Sequence, residues 1–312
     1  MVGYTIEGIV LFKNMTRLLT ALFPAGLARD VPRGPCFRSR APALVFLLGL
    51  TVFPALSLAA DTDNGGASTE DMERNSSHYY VAIGTALAPD YEGSAYYEAL
   101  PLVIARWIKR GAYAELVGAK LRANVITESL WQFGPVLRWN RARGNVGSGP
   151  VSRMEHIDGT PEAGAFFGAL LRDPEAPRRQ LGLEVELLED VGGVHHGYQL
   201  NLELSGGMPI NDSLAINVAL TSTYGSKRYM HTYFGVNSSD ALRSGLQPFD
   251  PESGFRDIAF SATLSYEISG RWGIALGGRY QRMLGDAADS PVVASAGSVN
   301  QYIATLMATY TF

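Results

Sequence analysis

The sequence is short of cysteine, of lysine and of charge in general. A single cysteine in 312 residues, Cys36, excludes a disulfide framework and a cysteine-rich metal site. Only four lysines are present (Lys13, Lys109, Lys120 and Lys227), and the formal net charge is -4. That excludes the basic face with which a nucleic-acid binder displaces counterions. Charged residues make up 18% of the chain, against about 25% in an ordinary soluble domain, and 34 residues are glycine. Disordered chains are polar and highly charged, so this composition is not theirs. Beyond residue 60 no run is long and apolar enough for a membrane-spanning helix.

One uncharged apolar run does occur, early in the chain. Residues 41–60 read APALVFLLGLTVFPALSLAA, with Arg38 and Arg40 before and Asp61 and Asp63 after. A basic flank, an apolar core and a small-residue exit make a secretory signal peptide, with cleavage after Ala59 or Ala60. The competing reading is a spanning helix, which Pro42 and Pro54 shorten. Residues 1–37 exceed an ordinary basic leader and read as an upstream mis-start, with Met15 an internal alternative. Removing 1–59 takes away Cys36 and six basic residues and leaves 20 basic against 28 acidic ones, a net charge of -8. A chain without a thiol suits an oxidising compartment. Residues 61–77 are polar and read as a flexible lead-in. The expected organisation is therefore a leader and signal peptide over 1–60, a lead-in over 61–77 and one domain over 78–312.

In that domain the dominant period is two. In 256–267, Ile258, Phe260, Ala262, Leu264 and Tyr266 alternate with Asp257, Ala259, Ser261, Thr263, Ser265 and Glu267. Successive side chains of a strand point to opposite faces, so each such segment is a two-sided strand. The same alternation runs through 131–140, 181–190, 198–205, 214–221 and 272–281, and less sharply through 79–87, 97–108, 111–122 and 163–172. A soluble sandwich would turn the apolar face inward; a membrane barrel turns it to lipid. The polar face carries many small residues, aromatics such as Trp131, Trp139, Trp272, Tyr280 and Tyr302 collect near strand ends, and a leader exports the chain. These features point to an all-β, antiparallel transmembrane barrel. Its last strand, 301–312, alternates up to Tyr310 and Phe312. An alternating final strand ending in phenylalanine resembles the signal read by the machinery that assembles outer-membrane barrels. Eleven strands are visible where bacterial single-chain barrels have even numbers. Twelve is expected, with ten as the alternative, and the missing strand is expected within 226–253. The short turn at Ser269-Gly270 suits the periplasmic end and the long segments 226–254 and 285–299 the outer face. Arg122, Arg138 and Arg279 are expected on the lumen face with Glu184, Glu186, Glu203 and Glu267.

Four strings in the chain resemble a known family. They are Ala88-Pro89-Asp90-Tyr91-Glu92-Gly93-Ser94, Tyr229-Met230-His231-Thr232-Tyr233-Phe234-Gly235-Val236, Ser244-Gly245-Leu246, and Leu284-Gly285-Asp286-Ala287-Ala288-Asp289-Ser290-Pro291, followed by Tyr310-Thr311-Phe312 at the end. Together they are similar to the MipA/OmpV outer-membrane proteins (MltA-interacting proteins) over 78–312. The resemblance implies an outer-membrane barrel. For the best-known member it implies a scaffold joining a lytic transglycosylase to a bifunctional murein synthase; other members are linked to adhesion or to osmotic and antibiotic response. His231 stands where glutamine is the usual residue of the family, so no role is carried over to it.

Catalysis by a barrel would need a hydroxyl nucleophile, a histidine base and an orienting acid. The histidines after the leader are His78, His156, His195, His196 and His231. No nucleophile motif adjoins them, and each reads as a solvated loop histidine. Asp286, Asp289 and Ser290 read as turn-capping side chains, with cation binding as the alternative. The expectation is thus no catalytic site, no cofactor and no metal. The leading function is a scaffold whose periplasmic turns, 173–180 and 207–213, are docking surfaces. A small-solute pore, or an adhesin acting through 226–254, are the alternatives.

Overall fold

Alternating segments that bury one face and expose the other form strands, and here they close on themselves. A computed structural model describes residues 77–312 apart from Ser129, Asn145, Ser148 and Pro177. The expected leader and cleavage site lie outside the described residues. Twelve antiparallel strands form a closed barrel in which each pairs with its sequence neighbours and the last pairs with the first. They are β1 Ser77–Pro89, β2 Tyr97–Lys109, β3 Ala112–Val117, β4 Lys120–Asn124, β5 Trp131–Asn140, β6 Thr160–Arg172, β7 Gln180–Asp190, β8 Tyr198–Pro209, β9 Leu214–Gly225, β10 Gly254–Glu267, β11 Trp272–Met283 and β12 Asn300–Thr311. Phe312 N donates to Tyr79 O across the closing seam (3.0 Å).

The twelfth strand is not where the sequence suggested. It arises because 111–122, read as one strand, is a hairpin turning at Gly118-Ala119, which gives the short β3 and β4. The segment 226–253 instead holds two helices, α1 Lys227–Phe234 and α2 Ser238–Ser244. In α1 the buried residues are Tyr229, Met230, Tyr233 and Phe234. That spacing follows a helical turn and not a pleat. Two further short helices, α3 Gly285–Asp289 and α4 Pro291–Ala294, occupy the connection between β11 and β12.

The face assignment holds. Leu183, Leu187, Leu204, Leu276 and Leu306 point outward and are exposed, whereas Glu186, Asn217, Thr263 and Thr305 point inward and are buried. A continuous apolar belt on the outside of a closed barrel is at rest only against lipid. Aromatic girdles flank it. At the end holding both termini, Trp272 meets Tyr310, Tyr310 meets Phe312 and Tyr79 meets Phe312, with ring centroids 4.7, 4.7 and 6.4 Å apart. At the opposite end Tyr280 meets Tyr302 (5.4 Å) and Tyr224 meets Phe255 (5.7 Å). From Trp272 to Tyr280, eight residues tilted by about 40° climb about 21 Å, close to the ~25 Å apolar band of such barrels. All the long connections, including 226–253 and 284–299, lie at the end opposite the start of β1 and the end of β12; long connections mark the outer end of such barrels.

Leu276 lies midway between Trp272 and Tyr280 and is 58% exposed. Leu276→Arg is expected to destabilise the barrel in lipid by about 2–4 kcal/mol. Ser265→Arg, on the lumen face near the periplasmic mouth, should cost far less. Equal shifts in a urea unfolding series would contradict the assignment of faces.

Candidate functional site

At the outer end, side chains from residues far apart in sequence meet across the lumen. The keystone is Arg256. β10 carries a bulge where Phe255 pairs with Tyr224 and Asp257 with Thr223, leaving Arg256 as the extra residue. Simple alternation would put Arg256 on the lipid face beside Ile258; the bulge turns it inward next to Asp257. Arg256 Nε donates to Asp257 Oδ2 (2.6 Å). Its Nη1 donates to Glu92 Oε1 (2.7 Å), to the Tyr229 hydroxyl (2.6 Å) and to Gln199 Oε1 (3.1 Å). The Tyr229 hydroxyl in turn donates to Glu92 Oε2 (2.7 Å). Burial, with Glu92 adding to it and Arg256 opposing, holds the Tyr229 phenol well above its usual range, so it stays a donor.

The network continues across the lumen. Gln199 Nε2 donates to Glu162 Oε1 (2.9 Å), Asn140 Nδ2 donates to the same oxygen (3.2 Å), and Arg138 Nε donates to Glu162 Oε2 (2.6 Å). His195 Nε2 lies 3.0 Å from Glu162 Oε1, while its Nδ1 accepts from Gly197 N (3.1 Å). A ring nitrogen that accepts carries no proton, so Nε2 is the donor to Glu162. The β7–β8 connection places His195 there through Asp190. That carboxylate accepts from the backbone N–H of Gly192, Gly193, His195 and His196. The bends so formed drop the imidazole into the lumen, 2% exposed. This corrects the reading of His195 as a solvated loop histidine. His231 does face solvent, 3.8 Å from Asp250, and His156 pairs with exposed Asp158.

A second layer lies nearer the periplasm. Arg122 bridges Glu115 (2.9 Å) and Glu184 (2.9 Å), Arg106 approaches Glu115 (3.7 Å), and Lys120 pairs with Glu186. Asn201 joins Glu186 to Thr223, and Arg279 Nη2 donates to Thr221 (3.0 Å). Arg106 also stacks on Tyr113, 4.2 Å from the ring centroid, and Arg122 over Phe166 at 5.2 Å. Beside these charges Tyr80, Ala82, Leu102, Ile104 and Met307 form an apolar cluster inside the wall. Of the expected lumen charges, Arg122, Arg138, Glu184, Glu186, Glu203 and Arg279 lie within the barrel. Glu267 shares their face but sits at the periplasmic rim, about one-third exposed and 3.7 Å from Arg178.

The four strings singled out in the sequence converge on the outer mouth. Tyr229, Met230, Tyr233 and Phe234 pack with Met283, Ala287 and Val293; Tyr91 packs with Val236 and Val292. Asp286 Oδ2 accepts from Glu252 N (2.7 Å). Ser290 Oγ donates to Phe234 O (2.6 Å) and accepts from Val292 N, capping α4. Asp286 and Ser290 are thus turn and cap residues, whereas Asp289 is exposed. Gly93 has φ +93°, and a Cβ there would lie 2.4 Å from Val293 Cγ2, so the close approach of the two strings requires glycine. Among the described residues no group of three or more histidines, cysteines or acids could hold a metal ion.

Glu162, Gln199 and Arg256 were not singled out from the sequence; Glu92 stood in a family string without a role of its own, and His195 was read as solvated. Gln199 was legible as a lumen residue by alternation, and Glu162 stood one position before its recognised segment. The bulge hid Arg256, and nothing periodic marks His195.

Comparison with curated protein sequences finds no match. Among solved structures the chain is similar to the NanC porin, at 6% identity and a TM-score of 0.39, over 75% of this chain and 99% of that one. It is also similar to an outer membrane channel from Pseudomonas putida F1, at 11% identity and a TM-score of 0.40, over 76% and 96%, and to OmpT of Vibrio cholerae, at 6% and 0.35, over 76% and 97%. Residues 81–312 match the family model described as MltA-interacting protein MipA. That span covers the barrel except the first four residues of β1, with all the strings that build its outer cap, and the chain belongs to the MipA family.

Proposed function

We propose that this protein, exported by a leader removed near Ala59 or Ala60, is an outer-membrane scaffold that holds peptidoglycan-remodelling enzymes at the membrane through its periplasmic turns. The observation that carries this reading is the set of ion-pair networks that cross the lumen. Two layers of ion pairs and a packed cap stand across the path a solute would follow, so function falls to surfaces. The family's description as an interactor of MltA supports the same reading.

The periplasmic turns form a joined surface. Arg178, in the β6–β7 turn, donates to Asp212 O in the β8–β9 turn (3.0 Å) and pairs with Glu267 at the start of the β10–β11 turn (3.7 Å). Asp173 accepts from Glu175 N and lies 3.6 Å from Arg179, which stiffens the first of these turns. A rigid polar platform of three adjacent turns suits docking of a protein partner. The full chain, purified and used as bait in a periplasmic extract, is expected to retain a lytic transglycosylase and a murein synthase. Arg178→Glu should reduce that capture several-fold without changing the thermal midpoint of the barrel. Capture of no murein enzyme would contradict the scaffold reading, and capture unaffected by Arg178→Glu would move the docking surface elsewhere.

A further inference from the structure

The barrel wall is incomplete at one place. Ile104–Val117 is the uppermost pair between β2 and β3, and Gly118 N donates to Val103 O (2.9 Å). Above that level β2 continues to Tyr97 without β3. Backbone groups alternate sides along a strand, so beyond Val103 it is Pro101 and Ala99 that present theirs to the empty side. Pro101 has no N–H to leave unpaired, which suits a strand edge. On the other side, Trp139 N donates to Ala119 O (3.0 Å), β5 ends at Asn140, and the chain goes on through 141–143 to a bridge between Arg143 and Ile157. Two strands, each worth about 4.8 Å of wall, are missing between β2 and the segment 141–143 just beyond β5.

Side chains and a loop close this notch. Glu98 on β2 pairs with Arg141 just beyond β5. Asp90 Oδ2 accepts from Gly147 N (2.7 Å), and the Tyr96 ring lies against Gly147. Behind the notch is a cavity of about 150 Å³ whose lining includes Arg138, Arg141, Arg143, Arg256 and Arg279, with Asp90 and Glu92 as the acids. Arg138, Arg141 and Arg256 have carboxylate partners. Arg143 is 6% exposed, lies in no ion pair among the described residues, and donates from Nη1 to Tyr233 O (2.7 Å), while its Nε is without a partner. Burial pushes this guanidinium below its ordinary value, with Tyr91, Asp240 and Tyr233 only partly opposing. A buried cation without a counter-charge is costly, and an anion in the cavity would offset that cost.

We propose that this cavity binds the phosphate head group of a lipid that enters sideways, from the outer half of the membrane, through the notch between β2 and β5. Guanidinium groups match phosphate oxygens two at a time, and Arg143 lies in no ion pair among the described residues. The cavity accepts a head group but not an acyl chain. The chain would stay in the notch, beside Pro101 and Trp139, within the apolar belt. The site does not depend on the scaffold role.

The test uses the full chain in neutral detergent, with binding read by native mass spectrometry. Lysophosphatidic acid is expected to bind at one equivalent, at least tenfold more tightly than lysophosphatidylcholine or inorganic phosphate. Arg143→Gln should weaken it at least tenfold with an unchanged thermal midpoint. A Cβ at Gly147 would lie 3.4 Å from Tyr96 Cβ, near disulfide spacing. The pair Tyr96→Cys and Gly147→Cys, in a chain whose only other cysteine, Cys36, lies in the leader, should therefore lock the notch when oxidised. Lipid uptake should slow at least tenfold and recover on reduction. Absence of lysophosphatidic acid binding, or binding unaffected by Arg143→Gln, would overturn the site. Inorganic phosphate binding as tightly as the lipid would make it a site for soluble anions. Uptake by the oxidised pair at the wild-type rate would overturn the lateral route.

Discussion

Glu162→Ala is expected to lower the stability of the folded barrel by about 3–5 kcal/mol, the cost of breaking a buried ion pair by removing one partner. Glu162 is fully buried and sits on β6 at the junction of three elements. Its two oxygens hold Arg138 and Asn140 on β5, Gln199 on β8 and His195 from the β7–β8 connection. Truncation leaves the Arg138 guanidinium in the lumen without its counter-charge, and leaves the His195 and Gln199 donors unpaired. The desolvation already spent on each group is then not recovered. Glu162→Gln keeps the shape and some hydrogen bonds but not the charge, and should fall between wild type and Glu162→Ala. Urea unfolding in lipid vesicles, followed by tryptophan fluorescence, measures both. A loss below about 1 kcal/mol for Glu162→Ala would mean that Arg138 is hydrated, and hence that water passes the outer network.

Arg256→Ala should release the cap while leaving the strands in place. Arg256 joins β10, through Asp257, to Glu92 in the first outer connection, to Tyr229 on α1 and to Gln199 on β8. Without it Asp257, fully buried, has lost its cation, and Glu92 and Tyr229 are held only to each other. If the local opening of α1 loses about 3–5 kcal/mol, amide protection there falls by roughly 10² to 10³·⁵. The amides to follow are Met230, bonded to Ser226 O, and Gly235, bonded to His231 O. Those of the β11–β12 ladder, such as Leu276 paired with Leu306, should exchange as in the wild type. Uniform acceleration across cap and strands would mean that cap and barrel open as one unit, contrary to the separate layers described above.

Much of the barrel was legible because alternation is a direct record of which face meets lipid. The lumen positions of Arg138, Glu184 and Glu186 followed from parity alone. Parity fails where the backbone departs from a simple strand. At Gly118-Ala119 a two-residue turn joins β3 to β4, so the hairpin passed for one strand. At Arg256 the bulge reverses the face of a single residue. The cap was illegible for another reason. Its helices are short, and α1 is held by tertiary packing of Tyr229 and Phe234 rather than by its own propensity. His195 owes its place to four N–H bonds to Asp190, which leave no periodic mark. The resemblance to a family picked out the cap strings themselves, though not that they meet in space.

That the ion-pair networks close the lumen is the claim on which the rest depends, and planar-bilayer conductance of the purified full chain tests it most directly. The two layers of ion pairs around Glu162 and Arg122 predict a silent bilayer at moderate voltage and salt. Steady unitary current steps from the wild-type chain would show an open path and contradict the scaffold reading in favour of a pore.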